Sequence, residues 1–165
     1  MEFNFLIIAI AAIVPLLVGF LWYSPNVFGD RWMKECNFTL ETIGKPNPVI
    51  YLYCYFLSFL LTFILSTIVI HQFAFYSILM NEPSLTEVGS DLNNYVTDFM
   101  VTYGNNFRTF KHGALHGTMV GLLIVLPVLG TNALFEKRSF KYVMINSGYW
   151  MISLALVGGI LCQFT

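Results

Sequence analysis

The sequence predicts an all-α integral membrane protein: a four-helix bundle with short interfacial helices in its first and second loops. Three observations carry this. Of the 165 residues, 57% are hydrophobic and only 10% charged, against about 25% charged in an ordinary soluble domain. So few charges do not cover the outside of a core that size, and lipid has to take much of the apolar surface. Four stretches, residues 3–23, 51–75, 112–134 and 142–164, contain no Asp, Glu, Lys or Arg, and each reaches the roughly 20 apolar residues that a helix needs to cross a bilayer. Runs such as 6–10 and 122–126 are continuously apolar, where the strands of a membrane barrel would alternate.

The first stretch is read as a retained span, because 1–5 has no positive leader region and no small-residue cleavage site follows at a suitable distance. The first loop opens on Trp22-Tyr23-Ser24-Pro25 and continues through Phe28-Gly29 to Trp32-Met33. Aromatics alternating with turn formers and charges at a span's end predict an interfacial belt with a short surface helix. Asn37-Phe38-Thr39 matches a glycosylation sequon, a pattern too common to weigh alone. Lys45-Pro46-Asn47-Pro48 predicts a break before the second span.

The second loop is acidic, with Glu82, Glu87, Asp91 and Asp98, and Ser84 followed by Glu87 fits a capping box. Over 92–107, Leu92, Tyr95, Val96, Phe99, Met100, Tyr103 and Phe107 recur at three- and four-residue intervals, predicting an amphipathic helix over the outer ends of the spans. The third loop is short, so the third and fourth spans are antiparallel neighbours. The whole chain, 1–165, reads as one transmembrane domain without an internal repeat.

Lys and Arg set the orientation. Arg31, Lys34 and Lys45 lie in the first loop and Lys137, Arg138 and Lys141 in the third, against Arg108 and Lys111 in the second. The positive-inside rule puts the first and third loops in the cytoplasm and both termini and the second loop outside. The net charge of −1 provides no basic field for nucleic acid.

Three sets of residues are candidates for function. Gly113, Gly117 and Gly121 form a stripe on the third span, and Gly148, Ala155, Gly158 and Gly159 offer small surfaces on the fourth. In lipid such stripes mark close helix packing, either within the chain or between copies. His71, His112 and His116 gather at one end of the bundle, with 112 and 116 four apart on one helix face. Imidazoles at that spacing can bind zinc or another transition metal, and a third ligand can come from His71 or Asp98; the competing reading is hydrogen bonding at the membrane boundary. At the opposite end, Asn132, Glu136, Asn146, Tyr149 and Trp150 face the Trp22, Tyr23 and Trp32 belt, either lining a head-group pocket or bonding between helices. Cys36, Cys54 and Cys162 form no disulfide framework or CxxC pair and read as small apolar fillers.

The first-loop residues Trp22-Tyr23-Ser24-Pro25, Phe28-Gly29 and Trp32-Met33 resemble the signature of the domain of unknown function 1761 family, small bacterial membrane proteins of four spans. Residues 107–121 and Gly148-Tyr149-Trp150 are similar to that family too. The resemblance implies a multi-pass protein of a bacterial cytoplasmic (inner) membrane, with no established activity or catalytic residues to carry over. The acidic second loop is longer than in shorter members.

No nucleophile elbow, phosphate loop or paired carboxylate appears in the spans, so no catalytic residues are assigned and the chain is read as a non-enzyme. The expected function is that of a helical bundle acting as a homo-oligomer or accessory subunit of a larger membrane complex. The alternative is small-molecule or ion transport, or metal binding, at the His71, His112 and His116 end. Expected partners are the bilayer and other membrane subunits or copies of the chain, with no nucleic acid; no cofactor is predicted beyond a candidate transition metal.

Overall fold

A computed structural model describes residues 2–44 and 47–165. Lys45 and Pro46, on which the predicted break and one of the first-loop cations fall, lie outside the described residues. Among those described, every regular element is helical, and four helices are long and apolar enough to cross a membrane: Phe5–Trp22, Pro48–Val69, Phe110–Phe135 and Phe140–Phe164. The protein is an all-α membrane bundle.

The fourth span is its axis. Half of its most apolar window is buried, against 11–28% in the other three, and it touches all of them. The others show their large side chains outward: Leu6, Leu17, Leu52, Leu57 and Leu123 are all exposed. In water such a surface would drive association; in a bilayer it is the lipid-facing side. The core joins Ile8 and Ala11 of the first span, Leu65 and Val69 of the second, Val120 of the third, and Leu154, Val157 and Leu161 of the fourth.

The first span is broken midway. It comprises Phe5–Ala11 and Val14–Trp22, with Pro15 in the first turn of the second piece. At the break the Ile13 amide turns to the Ile10 carbonyl, three residues back, so the Ala9 carbonyl loses its helical donor. The Tyr55 hydroxyl, from the second span, donates to it at 3.1 Å. A backbone acceptor freed by a proline kink in lipid needs such a neighbour, since no water is at hand.

The second span ends sooner than the sequence predicts. Instead of running over 51–75 it occupies Pro48–Val69, Ile70 turns extended, and a separate helix, Gln72–Ile78, begins after His71. Apolarity alone continues past Val69, so composition does not mark the turn. At its start, Asn47 accepts from the Val49 amide at 3.0 Å and Pro48 takes the first helical position, a favoured combination.

The third span contains a π turn, Gly121–Val125, in which the Leu126 amide bonds the Gly121 carbonyl. Pro127 follows directly. Its ring crowds the preceding turn and it has no N–H, and a widened turn relieves both. The span ends with Lys137 in the left-handed region at φ 55°, where the Arg138 amide reaches the Ala133 carbonyl at 2.8 Å; this is a Schellman closure.

The first loop carries a short surface helix, and the second-loop helix differs from expectation in its bounds. The first-loop helix is Gly29–Cys36, followed by the single turn Leu40–Ile43, which Thr39 and Thr42 close as a capping box. The amphipathic helix is Asp91–Tyr103, shorter than 92–107 at its end, and its cap is Ser90, which accepts from the Asn93 amide at 3.1 Å. The Ser84–Glu87 pair caps nothing: Ser84 sits in the short 3-10 turn Pro83–Leu85. Phe99 stacks on Phe75 of the Gln72–Ile78 helix at 4.7 Å and Val96 is buried, while Tyr95 and Tyr103 of the same stripe stay exposed.

Candidate functional site

His112 and His116 stand one turn apart in the first half of the third span, and His71 comes from the turn that ends the second. Their ligand atoms all lie within 4.8 Å of one another. The Nε2 atoms of His71 and His112 are 2.9 Å apart, and the His116 ring lies 4.9 Å from His71 and 4.4 Å from His112, centre to centre. Zinc bound at about 2.0–2.1 Å in tetrahedral geometry separates its nitrogens by about 3.3 Å. The 2.9 Å separation and the 4.8 Å limit bracket that value, so the three imidazoles are candidate ligands for one ion. Asp98, on the exposed face of its helix, is not part of the cluster.

The surroundings hold the three rings in place. The cluster rests on the turn that precedes the third span, where Phe107 takes a left-handed φ of 62°, an unusual conformation for a bulky residue. The Phe107 ring packs 5.0 Å from His112 and 6.4 Å from His71. Its carbonyl accepts from the buried Cys162 thiol at 3.1 Å. Next to it, Arg108 donates from Nε to the Cys162 carbonyl at 3.2 Å and from Nη2 to the Thr165 carbonyl. Burial pulls this guanidinium below its ordinary pKa. The Thr109 hydroxyl caps the third span by accepting from the His112 amide at 3.3 Å. On the other side of His71, the buried Gln72 amide donates to the Gly104 and Asn106 carbonyls at 2.9 and 3.1 Å. The ends of three spans and the second loop are therefore tied together around the histidines.

The glycine stripe lies within the chain. A Cβ on Gly113 would collide with the Gly158 carbonyl oxygen, one on Gly117 with the Leu154 carbonyl oxygen, and one on Gly121 would stand 2.7 Å from the Met151 Cα. The third and fourth spans thus approach backbone to backbone. Gly159 makes room for the Phe110 ring, and a Cβ on Gly148 would stand 3.0 Å from the Trp22 ring instead of meeting the third span.

At the other end, a cleft of about 680 Å³ opens between the first, second and fourth spans. Tyr23, Trp32, Asn146, Tyr149 and Trp150 line it; Asn132, Glu136 and Trp22 do not. Trp22 instead donates its indole N–H to the Ile145 carbonyl at 3.0 Å. The Tyr23 hydroxyl donates to Asn146 Oδ1 at 2.8 Å, and the Tyr149 hydroxyl to the Pro15 carbonyl at 3.0 Å. Burial, reinforced by the Tyr149 and Tyr142 phenols, pushes Tyr23 above the usual tyrosine range, so it stays a neutral hydrogen-bonding group. Asn132 and Glu136 sit one turn apart at the end of the third span, where Glu136 pairs at 3.6 Å with Arg138.

The lining contributed by Gly19, Cys54 and Ser58 is not evident from charge or motif. One signal does point to it: Cys54, Ser58, Thr62 and Ser66 recur every fourth residue, and the last three are buried. A stripe of small polar residues marks the face of a span turned toward its neighbours. Cys54 itself is exposed and Cys36 partly so; only Cys162 is the buried filler expected of all three.

The family model described as protein of unknown function (DUF1761) matches residues 6–162. No curated protein and no solved structure matches the chain.

Proposed function

The chain belongs to the DUF1761 family of unknown function, and from that premise we propose that it is a metal-handling membrane bundle in which His71, His112 and His116 bind one divalent transition-metal ion. The observation that supports this reading is the convergence of three ligand atoms within 4.8 Å. Three imidazoles without a carboxylate or thiolate suit zinc, copper or nickel better than calcium or magnesium, which take oxygen ligands. Three protein ligands also leave a coordination position open for water or a passing ligand.

A role resting on oligomerisation through the glycine stripe has less support, because Gly113, Gly117 and Gly121 are occupied by the chain's own fourth span. The protein acts in this reading without catalytic side chains. The placement in a bacterial inner membrane rests on the family resemblance alone, whereas the cation distribution supports the orientation with the first and third loops in the cytoplasm, which sets the histidine end at the outer face.

The test is elemental analysis of purified protein after exposure to zinc and removal of loose metal. The wild type is expected to retain about one ion per chain, and the variant carrying His71→Ala, His112→Ala and His116→Ala none, with the helical circular dichroism of both unchanged. Equal zinc in the two proteins overturns the proposal, as does a wild type that retains none.

A further inference from the structure

Independently of the metal site, we infer that the cleft between the first, second and fourth spans binds a neutral, planar, carbonyl-bearing lipid of the quinone type. Its volume of about 680 Å³ falls inside the roughly 300–1,000 Å³ of small-molecule sites. Phe20, Ile50, Tyr51 and Leu57 on its rim are exposed on the lipid-facing surface, so the entrance faces the bilayer and admits a molecule already dissolved there.

The walls define the head group. Among the described residues that line the cleft there is no Asp, Glu, Lys or Arg, so none of them offers an anionic phosphate a counter-charge. Among the described residues six aromatic side chains line the cleft: Phe20, Tyr23, Trp32, Tyr51, Tyr149 and Trp150. A flat conjugated ring gains stacking from such walls that a saturated chain does not. Hydrogen-bond donors are available too. The Trp32 and Trp150 indole N–H groups have no protein acceptor among the described residues, whereas the third tryptophan, Trp22, is bonded to Ile145. Indole N–H groups in a partly buried setting ordinarily find an acceptor, and a carbonyl oxygen entering the cleft supplies one.

The cleft is also graded along its length. Tyr23, Trp32 and Asn146 stand at the end next to the first loop, while Pro15, Leu16 and Leu57 continue toward the middle of the spans. A polar ring at the interface with an apolar tail running inward matches that gradient.

Two of the three tryptophans line the cleft, so intrinsic fluorescence reports occupancy. Purified protein in a non-ionic detergent is titrated with decylubiquinone, with dioleoylglycerol as the neutral, non-planar competitor. Saturable quenching at one quinone per chain is expected, with dioleoylglycerol displacing it poorly. Gly19→Leu fills the cleft, since a Cβ there meets only the Tyr149 ring at an ordinary 3.6 Å, and should weaken binding at least about tenfold. Cys54→Phe, made from the opposite wall at an exposed position, should do the same. Quenching that rises without saturation in the wild type, or equally in wild type and folded variants, overturns the inference. So does displacement by dioleoylglycerol at matched concentration, which would make the cleft a general neutral-lipid site.

Discussion

Gly117 is where single atoms matter most. Its missing Cβ lets the third span rest on the Leu154 carbonyl, and in lipid that contact replaces the hydrophobic drive between helices. Gly117→Ala is therefore expected to cost about 1–3 kcal/mol through overpacking. Gly130→Ala serves as the comparison: its Cβ would touch only a Val143 methyl at 3.9 Å, so it should be neutral or slightly stabilising. Thermal unfolding in detergent separates the two; equal melting shifts would contradict the seam described above. Lys137 makes the opposite case. It holds a left-handed φ of 55° at the end of the third span, a conformation that costs a side-chain-bearing residue about 1 kcal/mol. Lys137→Gly should raise the melting temperature, and a fall would mean that the lysine side chain contributes more than its backbone loses.

At the scale of elements, two connections invite measurement. Tyr55 joins the second span to the broken first span through the Ala9 carbonyl; Tyr55→Phe leaves that acceptor unpaired and should destabilise by about 1–3 kcal/mol. No change in chemical denaturation would indicate that the carbonyl finds another donor. The first and third loops are clasped by Glu35, which accepts from the Ser139 hydroxyl and pairs with Lys141 at 3.3 Å. The Ser139 hydrogen bond, followed by Lys141, holds the Glu35 carboxyl below the ordinary carboxylate range. A depressed carboxylate contributes stability that is present above the unfolded value of about 4.3 and lost as pH falls through the lower, folded one. The melting-temperature difference between wild type and Glu35→Gln should accordingly shrink as pH drops below about 4. A difference that stays constant from neutral pH to pH 3 would mean that the clasp carries no such linkage.

For the whole molecule, the two ends have different chemistry on one axis. The fourth span reaches both: Cys162 supports the histidine turn, and Asn146, Tyr149 and Trp150 line the cleft. Much of this was legible from residue order. The charge-free stretches, the surface helices, the glycine stripe and the four-residue spacing of His112 and His116 are local properties of the chain, and periodicity reports them directly. The end of the second span at Val69 was not legible, because no Asp, Glu, Lys or Arg interrupts residues 51–75. Nor was the cleft as a whole: the recurrence of Cys54, Ser58, Thr62 and Ser66 marks one inward face of the second span, but Gly19 looks like any lipid-facing residue until three spans are set side by side.

The sequence by itself determined that lipid is the solvent, that four helices cross it, and which faces carry small residues, histidines and aromatics, because each follows from composition or helical period. Only the tertiary structure decided that the glycine stripe is consumed within the chain, that His71 joins the other two histidines, that Asp98 stays away, and that Asn146 and Tyr149 enter a cleft while Asn132 and Glu136 do not. These depend on where residues tens of positions apart meet, and a helix's own pattern states which way it faces without stating what stands opposite.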